Sequence, residues 1–305
     1  MRHIEDLPRK SLLAVSNARK DGSIYIQNRL NHRLQQRRNR LSTAIAFQKR
    51  GHRVFAGIRN PSKASDITSL PNVTILPLDV TSKDSIQKAV DTINTETDDH
   101  GLDILINNAG QGFVGPILEA DLTAGREMFE VNFWGPLSMT QAFAPLLIRA
   151  HGTIVNISST GAIVHTPWIS MYSSSKAAVT LVSETLRLEL EPLGVRVMTA
   201  MVGVTKSNFH ANLPEAVLRE DSLYKQIEKH IQMAATERPG TIGKFLMPTE
   251  RLAERLCSDV LSGQSGLVRR GGLSTTTWIL KALMPSWLFV SAYIPSFMMK
   301  LNQMI

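Results

Sequence analysis

A doubly wound α/β sheet, built as one domain without internal repeats, is the architecture this sequence predicts. From about Arg53 onward short apolar runs alternate regularly with helical stretches, and the runs are continuously apolar rather than alternating with polar residues. Strands that alternate with helices pair in parallel, and continuous apolar runs belong to strands buried on both faces. A chain of 305 residues with 43% apolar side chains also has ample core for one large domain. Folds of this class bind ligands beyond the carboxyl ends of their strands.

The elements follow in order. A helical stretch, Ala44–Lys49, stops at Arg50-Gly51, and Arg53–Ile58 (RVFAGI) is the first clear strand after it. Val73–Leu78 (VTILPL) is the next strand, closed by Asp79, and Lys83–Thr97 reads as a helix. Leu102–Ile106 (LDILI) is a strand, Arg126–Ile148 a long helix, Thr153–Ile157 (TIVNI) a strand and Tyr172–Leu190 a helix. Val195–Val202 (strand), Thr249–Leu261 (helix) and Gly266–Arg269 (strand) complete the alternation. Residues 208–248 interrupt it between a strand and a helix, where an insertion above the sheet serves naturally as a substrate lid. The expected organisation is a basic segment over 1–41, a doubly wound α/β domain over 42–272 with its lid at 208–248, and an apolar tail over 273–305.

Charge and cysteine content narrow the function classes. Residues 1–41 hold ten Lys/Arg against three Asp/Glu, whereas residues 42–305 hold 24 against 23. The body is near neutral, which argues against nucleic acid as a partner, since such binders carry their charge on the folded domain. Aromatic residues do not interleave with the basic ones either. The single cysteine, Cys257, excludes an intramolecular disulfide framework and a multi-cysteine metal site, and it favours a reducing compartment.

Met1–Arg9 is polar and precedes no apolar run, so no secretory signal is visible. Arg29–Arg40 packs five arginines into twelve residues, but Glu5 and Asp6 weaken a mitochondrial presequence. From Ala282 to Met299 there are 18 uncharged residues, interrupted by Pro285 and Pro295. The prolines disfavour a spanning helix. Two readings remain for this tail: short helices lying on the endoplasmic reticulum or a lipid droplet, or packing on its own domain or on a second copy in a homo-oligomer. The expected location is cytoplasmic, with peripheral contact at the endoplasmic reticulum or a lipid droplet under the first reading.

The chemistry concentrates in Ser159, Tyr172 and Lys176. Tyr172 and Lys176 are four apart at the start of a helix, so their side chains share one face about a turn apart. An ammonium beside a phenol favours phenolate, lowering a pKa of about 10 toward the working range. Such a tyrosine can give or take a proton at a carbonyl or alcohol oxygen. Ser159, at the end of Thr153–Ile157, can hydrogen-bond the same oxygen. A lone Tyr-x-x-x-Lys is common on exposed helices; here its surroundings give it meaning.

Those surroundings are Asn107-Asn108-Ala109-Gly110 after a strand, Asn132 in Val131-Asn132, Asn156-Ile157-Ser158-Ser159, and Tyr172-Ser173-Ser174-Ser175-Lys176-Ala177-Ala178 thirteen residues after Ser159. Over residues 43–272 the sequence resembles the short-chain dehydrogenase/reductase family. The resemblance implies Tyr172 as catalytic acid/base, Lys176 as its tuner and a ribose ligand, Ser159 as polariser of the substrate oxygen, and Asn132 as holder of a relay water. The thirteen-residue spacing selects Ser159 over Ser158. The stretch Phe47–Ala56 and the Trp/Pro-rich tail are similar to fungal reductases of the 1-acyldihydroxyacetone-phosphate reductase type, whose relatives also act in secondary metabolism.

Cofactor choice is also legible. Arg59 closes the strand Arg53–Ile58, where such folds meet the adenosine ribose. An arginine there suits the 2′-phosphate of NADP, whereas an acidic residue would suit NAD. By resemblance Asp79 contacts adenine and Asn108 lies by the adenosine ribose. Met201–Ser207 stands at the family's nicotinamide segment, with Val202 in place of its proline, Thr205 of its valine and Ser207 of its threonine.

One departure is large. The family's glycine-rich loop should precede Ala44–Phe47, yet Arg38-Asn39-Arg40 stands where its Gly-x-Gly belongs. Ser11–Val15 (SLLAV) resembles the first strand and Asp21-Gly22-Ser23-Ile24 a remnant of the loop, with Tyr25–Leu41 as a basic insertion expected to stand apart from the fold. The insertion is either functional or the mark of a damaged cofactor site, through divergence or intron sequence carried into the coding frame. The expected function is NADP-dependent interconversion of a small-molecule ketone and a secondary alcohol, lipid-like or from secondary metabolism. The alternative is a catalytically impaired dinucleotide-fold scaffold.

Overall fold

The computed structural model describes residues 23–28, 38–61, 67, 69–206, 218–236 and 243–293. Seven parallel strands form the main sheet: β1 (Ser23–Asn28), β2 (Arg53–Ile58), β3 (Val73–Pro77), β4 (Ile104–Asn107), β5 (Thr153–Ser159), β6 (Arg196–Val202) and a last strand, Gly266–Arg270. Their spatial order is β3-β2-β1-β4-β5-β6 and then Gly266–Arg270. The order reverses between β1 and β4, which sets the ligand crevice at the carboxyl ends of those two strands. Between β6 and the last strand, two two-residue strands, β7 (Thr205–Lys206) and β8 (Met247–Pro248), pair with each other. The last strand is therefore β9.

Each face of the sheet has its own core. On one face α2 (Lys83–Glu96), α4 (Gly135–Ala150) and α5 (Ser170–Leu190) cover Tyr25, Phe55, Leu105, Ile154 and Val197. On the other, α1 (Arg38–Gln48) and a helix over Thr249–Leu261 cover Ile24, Ile26, Val54, Val155 and Ala200. Alternation within β1, with Tyr25 on one face and Ile24 and Ile26 on the other, is the period-2 signature of a strand buried on both sides.

That strand corrects the reading of the N-terminus. Ser23–Asn28 pairs with β2 from Ser23↔Arg53 to Asn28↔Ile58 and with β4 from Ile24↔Ile104 to Ile26↔Ile106. The first strand of the sheet is therefore SIYIQN. Ser23 and Ile24 are strand, not loop remnant, and Ser11–Val15 lies outside the described residues. Nor do the two ends of Tyr25–Leu41 stand apart: Tyr25–Asn28 is central strand and Arg38–Leu41 opens α1, while residues 29–37 lie outside the described residues. The reason is burial. Ile24, Tyr25 and Ile26 are all fully buried in the slot between β2 and β4, and burial of three large side chains outweighs the polar company of Gln27, Asn28 and Arg29.

The predicted Arg126–Ile148 helix is also interrupted. It divides into α3 (Leu122–Phe129), a wide π turn at Glu130–Trp134 and α4. Pro136 has no N–H for the carbonyl of Asn132, so the regular i,i+4 bond is missing at that point. The chain widens instead, and the Gly135 N–H donates to the Glu130 carbonyl.

The remaining helices are α6 (Glu228–Thr236) in the 208–248 insertion, α7 (Thr249–Leu261), α8 (Ser274–Leu283) and α9 (Ser286–Tyr293). Among the described residues no helix is long and apolar enough to cross a membrane.

Candidate active site

At the carboxyl end of β5, pleat alternation separates two adjacent serines. The Ser158 hydroxyl is buried and bonds the carbonyl of Lys176 at 3.3 Å, which commits it to the backbone of α5. Ser159 faces the opposite way and accepts from the N–H of Gly161 at 3.1 Å. A Cβ added at Gly161 would stand 3.4 Å from both Ser159 Oγ and Tyr172 Cε1. Those two side chains therefore flank one small space beside Gly161.

Tyr172 and Lys176 occupy the first two turns of α5, on one face. Lys176 is buried, and its Nζ donates to the carbonyl of Ile157 at 2.9 Å. Burial disfavours its charged form and lowers its pKa from 10.5 to about 8. An ammonium has three donors and that carbonyl takes one. A Cβ at Gly110 would lie 3.6 Å from both Lys176 Nζ and Asn132 Oδ1. The end of β4 thus brings Asn132 and Lys176 to one point.

Asn132 is clamped. Its Oδ1 accepts from the N–H of Gln111 at 2.7 Å, and its Nδ2 donates to the Gln111 carbonyl at 2.8 Å and to Ser175 Oγ at 3.0 Å. Ser175 Oγ in turn donates to the carbonyl of Tyr172 at 2.7 Å. Ser175 is fully buried and ties the asparagine to the turn that carries the tyrosine. Sequence reasoning did not single out Ser175 or Gln111. Ser175 stands within the quoted Tyr172–Ala178 segment, three residues from Tyr172 and so on its side of the helix, and that spacing was the available signal. Beneath them, Asn107 Nδ2 donates to Asn156 Oδ1 and Asn156 Nδ2 to Ser183 Oγ, both at 2.8 Å, pinning β4 to β5 and α5. Asn132, Ser159, Tyr172 and Lys176 are thereby assembled at one end of the sheet.

The residues expected to meet a cofactor are more dispersed. Arg59 is exposed immediately beyond β2, and Asn108 is half-buried immediately beyond β4. Asp79 Oδ1 accepts from the N–H and hydroxyl of Thr81 at 3.0 and 2.8 Å, a local turn role that accounts for the residue in part. Thr205 is buried in β7, and Ser207 lies outside the described residues. The segment before Thr205 is seated by glycines. Gly203 donates its N–H to the Arg270 carbonyl at 2.7 Å, and a Cβ on it would come within 2.2 Å of the Gly272 carbonyl oxygen. Among the described residues no His, Cys, Asp and Glu side chains cluster as a metal site.

An apolar cluster stands at the segment that leads into α5. Val114, from the loop after β4, packs with Leu218, Ile227 and Ile231 of the insertion, and Trp168, Ile169 and Tyr224 cover that cluster. Glu119 Oε1 accepts from the N–H of Leu223 at 2.9 Å and ties the two segments together. On the far side α8 lies against the Thr160–Ala162 turn. The tail is mixed in character: Phe289 is buried, whereas Leu283 and Trp287 are 77% and 70% exposed.

Known proteins share this sequence pattern and fold. Residues 41–217 match the family described as short chain dehydrogenase. The short-chain dehydrogenase PC-15 of Penicillium crustosum is 43% identical over 246 residues, 80% of this chain and 88% of that protein. An NADPH-dependent 1-acyldihydroxyacetone phosphate reductase of Schizosaccharomyces pombe is 34% identical over 192 residues, 62% of this chain and 64% of that protein. Among solved structures, a short chain dehydrogenase of Burkholderia cenocepacia in complex with NADP superposes with a TM-score of 0.68 at 26% identity, covering 90% of this chain and 99% of that one.

Proposed function

The chain belongs to the short-chain dehydrogenase/reductase family, and on that premise we propose that it is an NADP-dependent oxidoreductase interconverting a ketone and a secondary alcohol. One observation carries the reading: Tyr172 and Lys176 share a face at the start of α5 while Ser159 and the tyrosine ring flank the same 3.4 Å space at Gly161. A substrate oxygen in that space meets a hydroxyl donor from Ser159 and a proton from the Tyr172 phenol. The Lys176 ammonium, fixed on the Ile157 carbonyl, stabilises the phenolate left behind. Asn132, whose carbonyl has no helical donor from Pro136, is suited to hold a water that returns the proton.

The residues present fit a dinucleotide. Gly110 keeps the end of β4 open beside Lys176 Nζ, and two of that ammonium's three donors are available to ribose hydroxyls. Arg59 would hold the 2′-phosphate that distinguishes NADP; Asp79, Asn108, Thr205 and Ser207 would hold the adenine, its ribose and the nicotinamide. The bound cofactor supplies the hydride. The name of the Schizosaccharomyces pombe relative supports NADPH as the reductant. The apolar walls from Val114 and the insertion suit a lipid-like or secondary-metabolite substrate, with residues 208–248 as lid. The exposed Trp287 and Leu283 favour contact of the tail with a membrane, a lipid droplet or a second copy in a homo-oligomer.

The rival is an impaired scaffold. No glycine lies between Asn28 and Gly51, although a pyrophosphate loop needs small residues for close backbone approach. Fluorescence titration with NADPH, followed by a screen of ketones and secondary alcohols, separates the two. Saturable binding with turnover supports the enzyme. A chain that folds but binds no NADPH supports the scaffold.

A further inference from the structure

Trp168 has three unusual properties at once. Its backbone is left-handed, with φ +71°, a region that bulky residues avoid unless their surroundings impose it. The imposing contact is visible: the Gly115 N–H donates to the Trp168 carbonyl at 2.7 Å, joining the loop after β4 to the segment that leads into Tyr172. Its ring meets Tyr224 of the insertion edge-on at 5.4 Å. Finally, its indole Nε1 is shut off from solvent and has no hydrogen-bond partner. The other three tryptophans are 39–70% exposed and can bond water.

A buried N–H without an acceptor is rare in native proteins and calls for an explanation. Val114, Leu218, Ile227 and Ile231, the core of the cluster that Trp168 covers, are hydrocarbon, so they offer no side-chain acceptor. A ligand oxygen at this point would supply the acceptor that the cluster lacks. The residue also sits where ligand contact is expected, four positions before Tyr172 and at the seam of the three segments that wall the site.

Resting on the oxidoreductase reading above, we propose that Trp168 is a specificity-determining residue whose indole N–H donates to a second oxygen of the substrate. The substrate is accordingly an apolar ketone or alcohol that carries a further ether, hydroxyl or carbonyl oxygen away from the reacting carbon. Sites built to bond such an oxygen discriminate strongly against analogues that lack it, because the donor is then left unpaired. Phenylalanine at 168 keeps an aromatic ring against Tyr224 and removes only the donor and part of the ring area.

The test uses the full chain with NADPH and matched bicyclic ketones: 1-tetralone against 4-chromanone, and 1-tetralone against 4-hydroxy-1-tetralone. Affinity is read by ligand-observed NMR of the ketone in both proteins, and the contact from the indole N–H resonances of ¹⁵N-labelled wild type, with Trp168 assigned by its loss in Trp168→Phe. The wild type is expected to bind at least one oxygenated member about tenfold more tightly than 1-tetralone, or about 1.4 kcal/mol, with a downfield shift confined to Trp168. In Trp168→Phe the preference should vanish while affinity for 1-tetralone changes less than about twofold. A preference that survives the substitution, the absence of any preference, or no binding by either oxygenated ketone overturns the inference. Preferential binding without reduction would sink the Tyr172 chemistry and leave this inference standing; reduction without preference would do the reverse.

Discussion

Ser175→Ala removes a single oxygen at the point where the asparagine and the tyrosine are joined. Two hydrogen bonds go with it, Asn132 Nδ2 to Ser175 Oγ at 3.0 Å and Ser175 Oγ to the Tyr172 carbonyl at 2.7 Å. Ser175 is fully buried and Asn132 is 1% exposed, so water does not replace the lost partner. An orphaned buried donor costs about 1–3 kcal/mol, and a bond to a carbonyl that has an alternative helical partner about 0.5–1.5 kcal/mol. Together these give a destabilisation of about 1.5–4.5 kcal/mol, measured by urea unfolding with an unchanged m value. Catalysis should suffer separately, because Asn132 and the first turn of α5 lose their common tie. We expect kcat to fall about tenfold or more, about 1.4 kcal/mol of barrier, with little change in the KM for NADPH. Ser183→Ala is the matched control. That serine is equally buried on the same helix, and its bonds to Asn156 Nδ2 and the Val179 carbonyl are of comparable length. It should lose similar stability while sparing kcat once the folded fraction is corrected. Equal kinetic losses in both variants, or a Ser175→Ala protein within about 0.5 kcal/mol of wild type, would refute the positioning argument.

Three further outcomes are expected. Tyr25→Phe should stabilise the protein by about 1–2 kcal/mol, since the buried Tyr25 hydroxyl has no partner and the ring stacked on Phe143 at 5.2 Å is retained; a loss of stability on thermal unfolding would mean the phenol is satisfied. The unfolded chain keeps a proton on Lys176 up to pH 10.5 whereas the folded one releases it near 8, so the penalty of its buried charge is full below about pH 8. Stability should therefore rise between pH 8 and 10.5 by up to about 3 kcal/mol relative to Lys176→Met, and parallel profiles for the two proteins would remove Lys176 as the cause. Arg59→Asp should weaken NADP binding by about tenfold or more and NAD binding far less, because a phosphate contact becomes like-charge repulsion; equal losses for both would remove Arg59 from cofactor selection.

Much of this architecture was legible because its signals are redundant. Apolar runs such as Arg53–Ile58 and Val195–Val202 are buried on both faces and admit no other placement. That Tyr172 and Lys176 share one face of α5 was legible from their spacing of four, whereas the choice of Ser159 over Ser158 rested on the thirteen-residue spacing of the family resemblance. The first strand was misplaced because SIYIQN has only three apolar residues beside a basic stretch, and its identity depends on the slot between β2 and β4. The π turn at Asn132 was missed for a different reason: apolar periodicity runs through Pro136, whose missing N–H is a local event that periodicity does not register. Ser175 was passed over although its spacing from Tyr172 was available, and Trp168 was invisible as a functional candidate because its significance lies in what surrounds a single polar atom.

Tyr172→Phe tests the central claim most directly, with NADPH affinity and turnover of a ketone measured on the same preparation. The account predicts unchanged protein stability within about 0.5 kcal/mol, NADPH affinity close to that of the wild type, and kcat lowered by at least about a hundredfold, the contribution of a general acid at the substrate oxygen. A variant that binds NADPH and turns over at a rate near the wild type's would contradict it, because the proton would then come from a group other than the Tyr172 phenol.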